Sequence, residues 1–109
     1  MGDADDWVPA ERVRDTADAF RAAGASVTVE VFPGRPHEIS DAEIVRAIRA
    51  AQPQIVISAW RGDPTDGHGH HTAVGIAVHE AFVAAGDPAR FTEFERVGLA
   101  PWQARKLYV

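Results

Sequence analysis

Residues 54–60, Gln-Ile-Val-Ile-Ser-Ala-Trp, form a continuous apolar run of strand length. A run without polar alternation suits a parallel strand covered on both faces. Helical patterns bracket it. On the N-terminal side, Ser40-Asp41-Ala42-Glu43 has the spacing of a capping box, Ile44, Val45 and Ile48 supply an apolar face, and Pro53 closes the helix. On the C-terminal side, Val74, Val78, Ala81, Phe82 and Ala85 recur at helical spacing up to Gly86. Nearer the start, Val8-Pro9-Ala10-Glu11 opens a helix with proline at its first position. Val13, Ala17 and Phe20 continue it and Gly24 stops it. From Ala25 the period changes to two: Val27, Val29 and Val31 share one face, and Thr28, Glu30 and Phe32 the other. That alternation predicts an edge or half-exposed strand. Residues 87–105 sustain no period, and Lys106-Leu107-Tyr108-Val109 reads as the first half of a further strand.

The resulting order, α-β-α-β-α with room for a final strand, predicts the α/β class: a small Rossmann-like layered unit with a short parallel sheet. The length of 109 residues allows one domain, 1–109. Two full strands make a meagre sheet against the roughly four to six that are usual, which suggests a piece of a larger α/β fold or a protomer that completes its sheet with a partner, as in a homo-oligomer. Function in such sheets collects at the carboxyl ends of the strands, so the polar segments after residues 32 and 60 are where chemistry is expected. Composition narrows that chemistry. Eleven basic against sixteen acidic side chains give a net charge of −5, which disfavours nucleic acid or an anionic membrane as partner. The absence of cysteine excludes disulfides, thiolate metal sites and a thiol nucleophile. No apolar run approaches a membrane span, and the acidic first residues are unlike a secretory signal, so the expected compartment is the cytoplasm.

The first candidate site combines Gly2-Asp3-Ala4-Asp5-Asp6-Trp7-Val8-Pro9 with Phe32-Pro33-Gly34-Arg35-Pro36-His37. Residues 1–46 resemble the C-terminal end of α/β-hydrolases of the phospholipase/carboxylesterase family. There an Asp lies in a G-x-x-D-x-x-V-P turn, and the catalytic His in a P-G-x-x-H loop. The resemblance implies Asp5 as the acid and His37 as the base, a carboxylate fixing the imidazole tautomer so that the other nitrogen can take a proton from a serine. The substrate implied is a small-molecule ester. The family's G-x-S-x-G elbow is absent, and Ser26, Ser40 and Ser58 have no such context. Because the elbow precedes the acid in that family, a chain starting at Met1 is expected to have lost it. The plainer alternative is a solvated acidic turn and a loop histidine.

The second candidate is Arg61-Gly62-Asp63-Pro64-Thr65-Asp66-Gly67-His68-Gly69-His70-His71, three imidazoles within four residues beyond the apolar strand. Neutral imidazole is a common zinc ligand, and a glycine-bearing loop lets several converge. Residues 43–109 resemble the C-terminal part of PIG-L-type zinc N-deacetylases. The matching blocks are Ile44-Val45-Arg46-Ala47-Ile48-Arg49 with Gln52-Pro53-Gln54-Ile55-Val56-Ile57, then Gly67-His68-Gly69-His70-His71, then Gly98-Leu99-Ala100-Pro101-Trp102 and Lys106-Leu107-Tyr108. The resemblance implies zinc as cofactor and an acetamide substrate, with His71 as a metal ligand and His68 as the group that stabilises or protonates the tetrahedral intermediate. His70 is a further candidate ligand. The family's A-H-P-D-D-E motif is absent. Gly2-Asp3-Ala4-Asp5-Asp6 echoes it, with Asp3 and Asp6 in ligand positions and Asp5 in the base position. The plainer alternative is an adventitious metal binder, and His79 is expected on the surface.

The two resemblances meet at about residues 40–48, where both families place a helix. The chain reads as a chimera of hydrolase pieces, each lacking part of its machinery, so little autonomous activity is expected. Two alternatives stand beside that reading: a zinc-dependent amide hydrolase, and an oligomerising binding or assembly module.

Overall fold

The computed structural model describes residues 4, 6, 8–36 and 38–109. The chain divides into two compact units, Met1–Glu38 and Ile39–Val109.

In the first unit, helix α1 spans Ala10–Ala22. Pro9, expected at the first helical position, is instead the N-cap, with φ −55°. The stop at Gly24 is a Schellman motif. Ala25 N–H donates to Phe20 O (3.0 Å) and Gly24 N–H to Arg21 O (2.9 Å), with Gly24 at φ +88° where a side chain would be strained. Of the expected apolar stripe, Ala17 is buried, Val13 half-buried and Phe20 58% exposed. Val8, Val13, Ala17, Phe20, Val27 and Val29 help to line an apolar cavity of about 310 Å³ between α1 and the chain that follows it.

The strand expected over residues 25–32 does not form. Val27, Val29 and Val31 are half-buried while Thr28 and Glu30 are exposed, so the two-residue alternation holds in burial. Among the described residues no ladder accompanies it, and Phe32 makes an isolated bridge. A period of two sorts side chains between faces, whereas a strand also needs a neighbour to bond with. The Arg21 guanidinium on α1 donates to the Val27 carbonyl at 2.9 Å.

The second unit opens with the capping box read from the sequence. Ser40 Oγ accepts from Glu43 N–H (3.3 Å), and Glu43 Oε2 accepts from Ser40 N–H (2.7 Å). Helix α2 (Asp41–Ala51) buries Val45 and Ile48, then ends at Gln52 in the left-handed conformation, one residue before Pro53. Strand β1 (Ile55–Ile57), helix α3 (Gly69–Gly86) and strand β2 (Lys106–Tyr108) follow, with 3₁₀ turns at Pro64–Asp66 and Thr92–Val97. The final strand is therefore present. β1 and β2 pair in parallel, Ile55 with Lys106, Val56 with Leu107 and Ile57 with Tyr108, giving a mixed helical unit on a two-stranded sheet.

Helices α2 and α3 pack through Val45, Ile48, Ala81, Ala84 and Ala85, with Val56, Phe91, Phe94 and Trp102 against them. The expectation that β1 is covered on both faces is not met. Val56 turns toward the helices, while Ile55 and Ile57 are 50% and 79% exposed. Among the described residues of the second unit, α2 and α3 pack on the Val56 side, and the alternate residues Ile55 and Ile57 point away from them. Among the described residues no helix is long and apolar enough to cross a membrane.

Arg49 on α2 is the most deeply buried charged side chain, 1% exposed. Its guanidinium donates to the carbonyls of Ala85 (3.1 Å), Ala84 (3.4 Å), Asp87 (3.0 Å), Arg90 (2.8 Å) and Phe91 (2.9 Å). It thus closes the C-terminus of α3, where unpaired carbonyls carry the negative end of the macrodipole. Replacing Arg49 with Met removes the donors and strands the carbonyls. The expected loss is about 3 kcal/mol of unfolding free energy in urea titration, and a loss below about 1 kcal/mol would contradict this role.

Candidate functional site

The loop after β1 is built from main-chain bonds outward. Ser58 Oγ accepts from Trp60 N–H (3.1 Å) and donates to Trp60 O (2.7 Å), fixing the turn that presents the indole. Gly62 then sits at φ +86° against α3: a Cβ on Gly75 would lie 2.1 Å from Gly62 N, so loop and helix meet backbone to backbone. Asp63 caps the 3₁₀ turn, its carboxylate accepting from Thr65 N–H at 2.8 Å. The Thr65 hydroxyl and N–H hold the Asp63 carboxyl below the usual carboxylate range.

Asp66 is 9% exposed and its carboxylate accepts three main-chain N–H groups, from Arg61 (2.9 Å), Gly62 (2.7 Å) and Asp63 (3.2 Å). The Arg61 N–H leads in keeping this carboxyl below its ordinary value. Desolvation opposes the shift, and the Gly62 and Asp63 N–H groups and the nearby His71 add to it. The main-chain oxygen of the same residue lies 3.0 Å from His71 Nδ1.

His68 is the N-cap residue of α3, and His70 and His71 lie in its first turn. The His71 ring is half-buried between two neighbours. Trp60 stacks on it at a centroid distance of 3.5 Å and 10° between planes, and His68 lies over it at 3.7 Å and 32°. His70 meets His68 edge-on at 5.9 Å. The three imidazoles expected to group beyond the apolar strand are thus together at the carboxyl end of β1. His79 is exposed on α3, as expected.

The other candidates are distributed differently. Asp3, Asp5 and His37 lie outside the described residues. Asp6 is exposed in the first unit. Ser40 and Ser58 use their hydroxyls in the helix cap and the Trp60 turn, and Ser26 is exposed.

The chemistry of the donor set decides how far zinc fits. A metal-binding imidazole usually donates its other ring N–H to a carbonyl or carboxylate, and His71 has that arrangement through Asp66 O. His68 lies over the face of His71, tilted by 32°, however, so their in-plane lone pairs are not directed at one ion. Among the described residues, no group of three His, Asp or Glu side chains could hold a metal ion. His71 therefore fits a single-ligand role, and the described residues do not assemble a full set.

Trp60 and Gly75 escaped the sequence reading as site residues, and Gly62 and Asp66 were read only as part of the candidate loop, without a role of their own. The Asp63-x-x-Asp66 spacing before a glycine repeats the capping-box logic and was the available signal. The closeness of Gly62 to Gly75 had none. No family model matches the chain, and no curated protein matches it.

Gly75→Ala should force the loop off the helix and lower unfolding free energy by roughly 1–3 kcal/mol. Gly69→Ala, where nothing lies within 4 Å of the added carbon, should stay within about 0.5 kcal/mol. Equal effects in chemical denaturation would refute the close-approach argument. Because folding lowers the Asp66 pKa, its contribution is present above the unfolded value and lost as pH falls through the folded one. The amide resonances of Arg61 and Gly62 should keep their hydrogen-bonded shifts from about pH 7 to 5 and move only below roughly pH 4.

Proposed function

We propose that the chain is a hydrolase-derived α/β protein with Rossmann-like layering, carboxylesterase-like over residues 1–46 and zinc-N-deacetylase-like over 43–109, with little catalysis of its own. In this reading the loop after β1 is a part-site for hydrolysing the acetamide of an N-acetylated amino sugar. The supporting observation is the His71 ring, bonded through Nδ1 to the Asp66 carbonyl and flanked by His68. His71 would hold zinc, whose chemistry when bound is to acidify a water for attack on the amide carbonyl. In this reading His68, whose ring centroid lies 3.7 Å from that of His71, would deliver a proton to the tetrahedral species or its leaving amine. The carboxylesterase-like pair Asp5 and His37 has no serine in an elbow to activate.

The reading is tested with purified protein, added zinc and an N-acetylated amino sugar. Zinc binding by equilibrium dialysis should weaken at least about tenfold in His71→Ala, as outer- and inner-shell losses in metal sites generally do. Turnover should stay near the metal-only background. Unchanged zinc affinity in His71→Ala would remove the part-site. Sustained turnover that depends on His71 would instead make the chain a complete amide hydrolase.

One observation favours a second reading, that of an oligomerising module. Ile55, Ile57, Tyr108 and Val109 are each at least half exposed on or beside a sheet whose strands, among the described residues, pair only with each other. Sedimentation velocity should then show a dimer that dissociates on dilution and is lost in Ile57→Lys. A monomer across the whole concentration range would rule this out.

A further inference from the structure

We propose that Asp66 is the positioning residue of the histidine loop, setting the tautomer of His71 through two ends of one residue. The inference deepens the reading of His71 as the working imidazole. Its test nevertheless uses neither zinc nor substrate, so the two can fail separately.

The argument starts from what each atom can do. A main-chain carbonyl only accepts, so an imidazole nitrogen 3.0 Å from Asp66 O must carry the proton. In the neutral ring that leaves Nε2 as the lone-pair nitrogen, the one able to take a metal or a proton. The carbonyl can fix the tautomer only if it is itself fixed. It belongs to a three-residue 3₁₀ turn that Asp63 caps and the Asp66 N–H closes onto Asp63 O (3.1 Å), followed by Gly67 at φ +94°. The bonds that join this turn to the end of the strand come from the Asp66 side chain, which folds back onto the N–H groups of Arg61, Gly62 and Asp63. Those donors are in turn anchored, because Gly62 rests on the α3 backbone at Gly75. One aspartate therefore ties the strand end, the turn and the first turn of α3 into a closed ring. Trp60 and His68 on the two ring faces set the plane of His71, whereas neither decides which nitrogen is protonated.

The test is nitrogen-15 NMR of the imidazole side chains in the metal-free full chain, above the pH at which the histidines protonate. The unsubstituted protein should show His71 almost wholly as the Nδ1–H tautomer. In Asp66→Asn, whose amide presents N–H to donors that need an acceptor, that tautomer should fall to a minority while far-ultraviolet circular dichroism holds. Asp63→Ala alters the same loop but keeps every bond to Asp66, and should leave the tautomer unchanged. A His71 found as Nε2–H in the unsubstituted protein would overturn the proposal. So would a folded Asp66→Asn with the tautomer intact, or an equal shift in Asp63→Ala. Should Asp66→Asn not fold, the unsubstituted protein still decides. The exchange protection of the His71 Nδ1 proton and of the Arg61 and Gly62 amides should be lost together on warming, and independent loss refutes the coupling.

Discussion

The second unit depends on one side chain laid across the end of one helix. Arg49 leaves α2 with its charge almost entirely out of water, and all five of its bonds go to carbonyls at or just beyond the C-terminus of α3. A buried guanidinium without a carboxylate is tolerable because those carbonyls are convergent partial negative charges. The contact does three things at once. It holds the α2–α3 angle, turns the chain sharply at 87–91, and sends it back toward the sheet. The Ala85 carbonyl also accepts Trp102 N–H at 2.8 Å, and Trp102 Nε1 donates to Pro53 O at 2.8 Å, so the return path toward β2 is tied to both helices.

At the other end of α3 the joining principle is different. There the contact is made by missing side chains, Gly62 against Gly75, and by a carboxylate that serves as a hub for main-chain donors. The helix is therefore gripped at its C-terminus by a cation and at its N-terminus by an anion-centred loop. Each has the sign the macrodipole favours. Alanines 81, 84 and 85, in the last turns of α3, let α2 approach closely, and the histidine rings stand on a helix whose position is set at both ends.

The sequence made much of this legible. Ser40 with Glu43 marked the start of α2, Gly24 the stop of α1, and Lys106–Tyr108 the final strand, because caps, stops and apolar runs are local codes. The histidine group was legible too, as three residues in four must be neighbours. What failed depended on partners. Val27, Val29 and Val31 show strand alternation without a strand, since pairing needs a second chain segment that the pattern does not name. Ile55 and Ile57 read as doubly buried, because an apolar run records which residues avoid water and not how many layers are present. Arg49 and Asp66 were invisible as organisers. Their bonds run to main-chain atoms, which every residue has and no sequence pattern distinguishes.

The two strands of the sheet are three residues each and are paired in parallel across the whole span of α3, the 92–97 turn and the Trp102 corner. So short a ladder returns little free energy, and the loop it must close is long. Neither strand can nucleate the unit. Topology therefore favours docking of α2 on α3 before the ladder closes, so the sheet, with the carboxyl end of β1 and its attached loop, is the part of the unit least supported by local contacts.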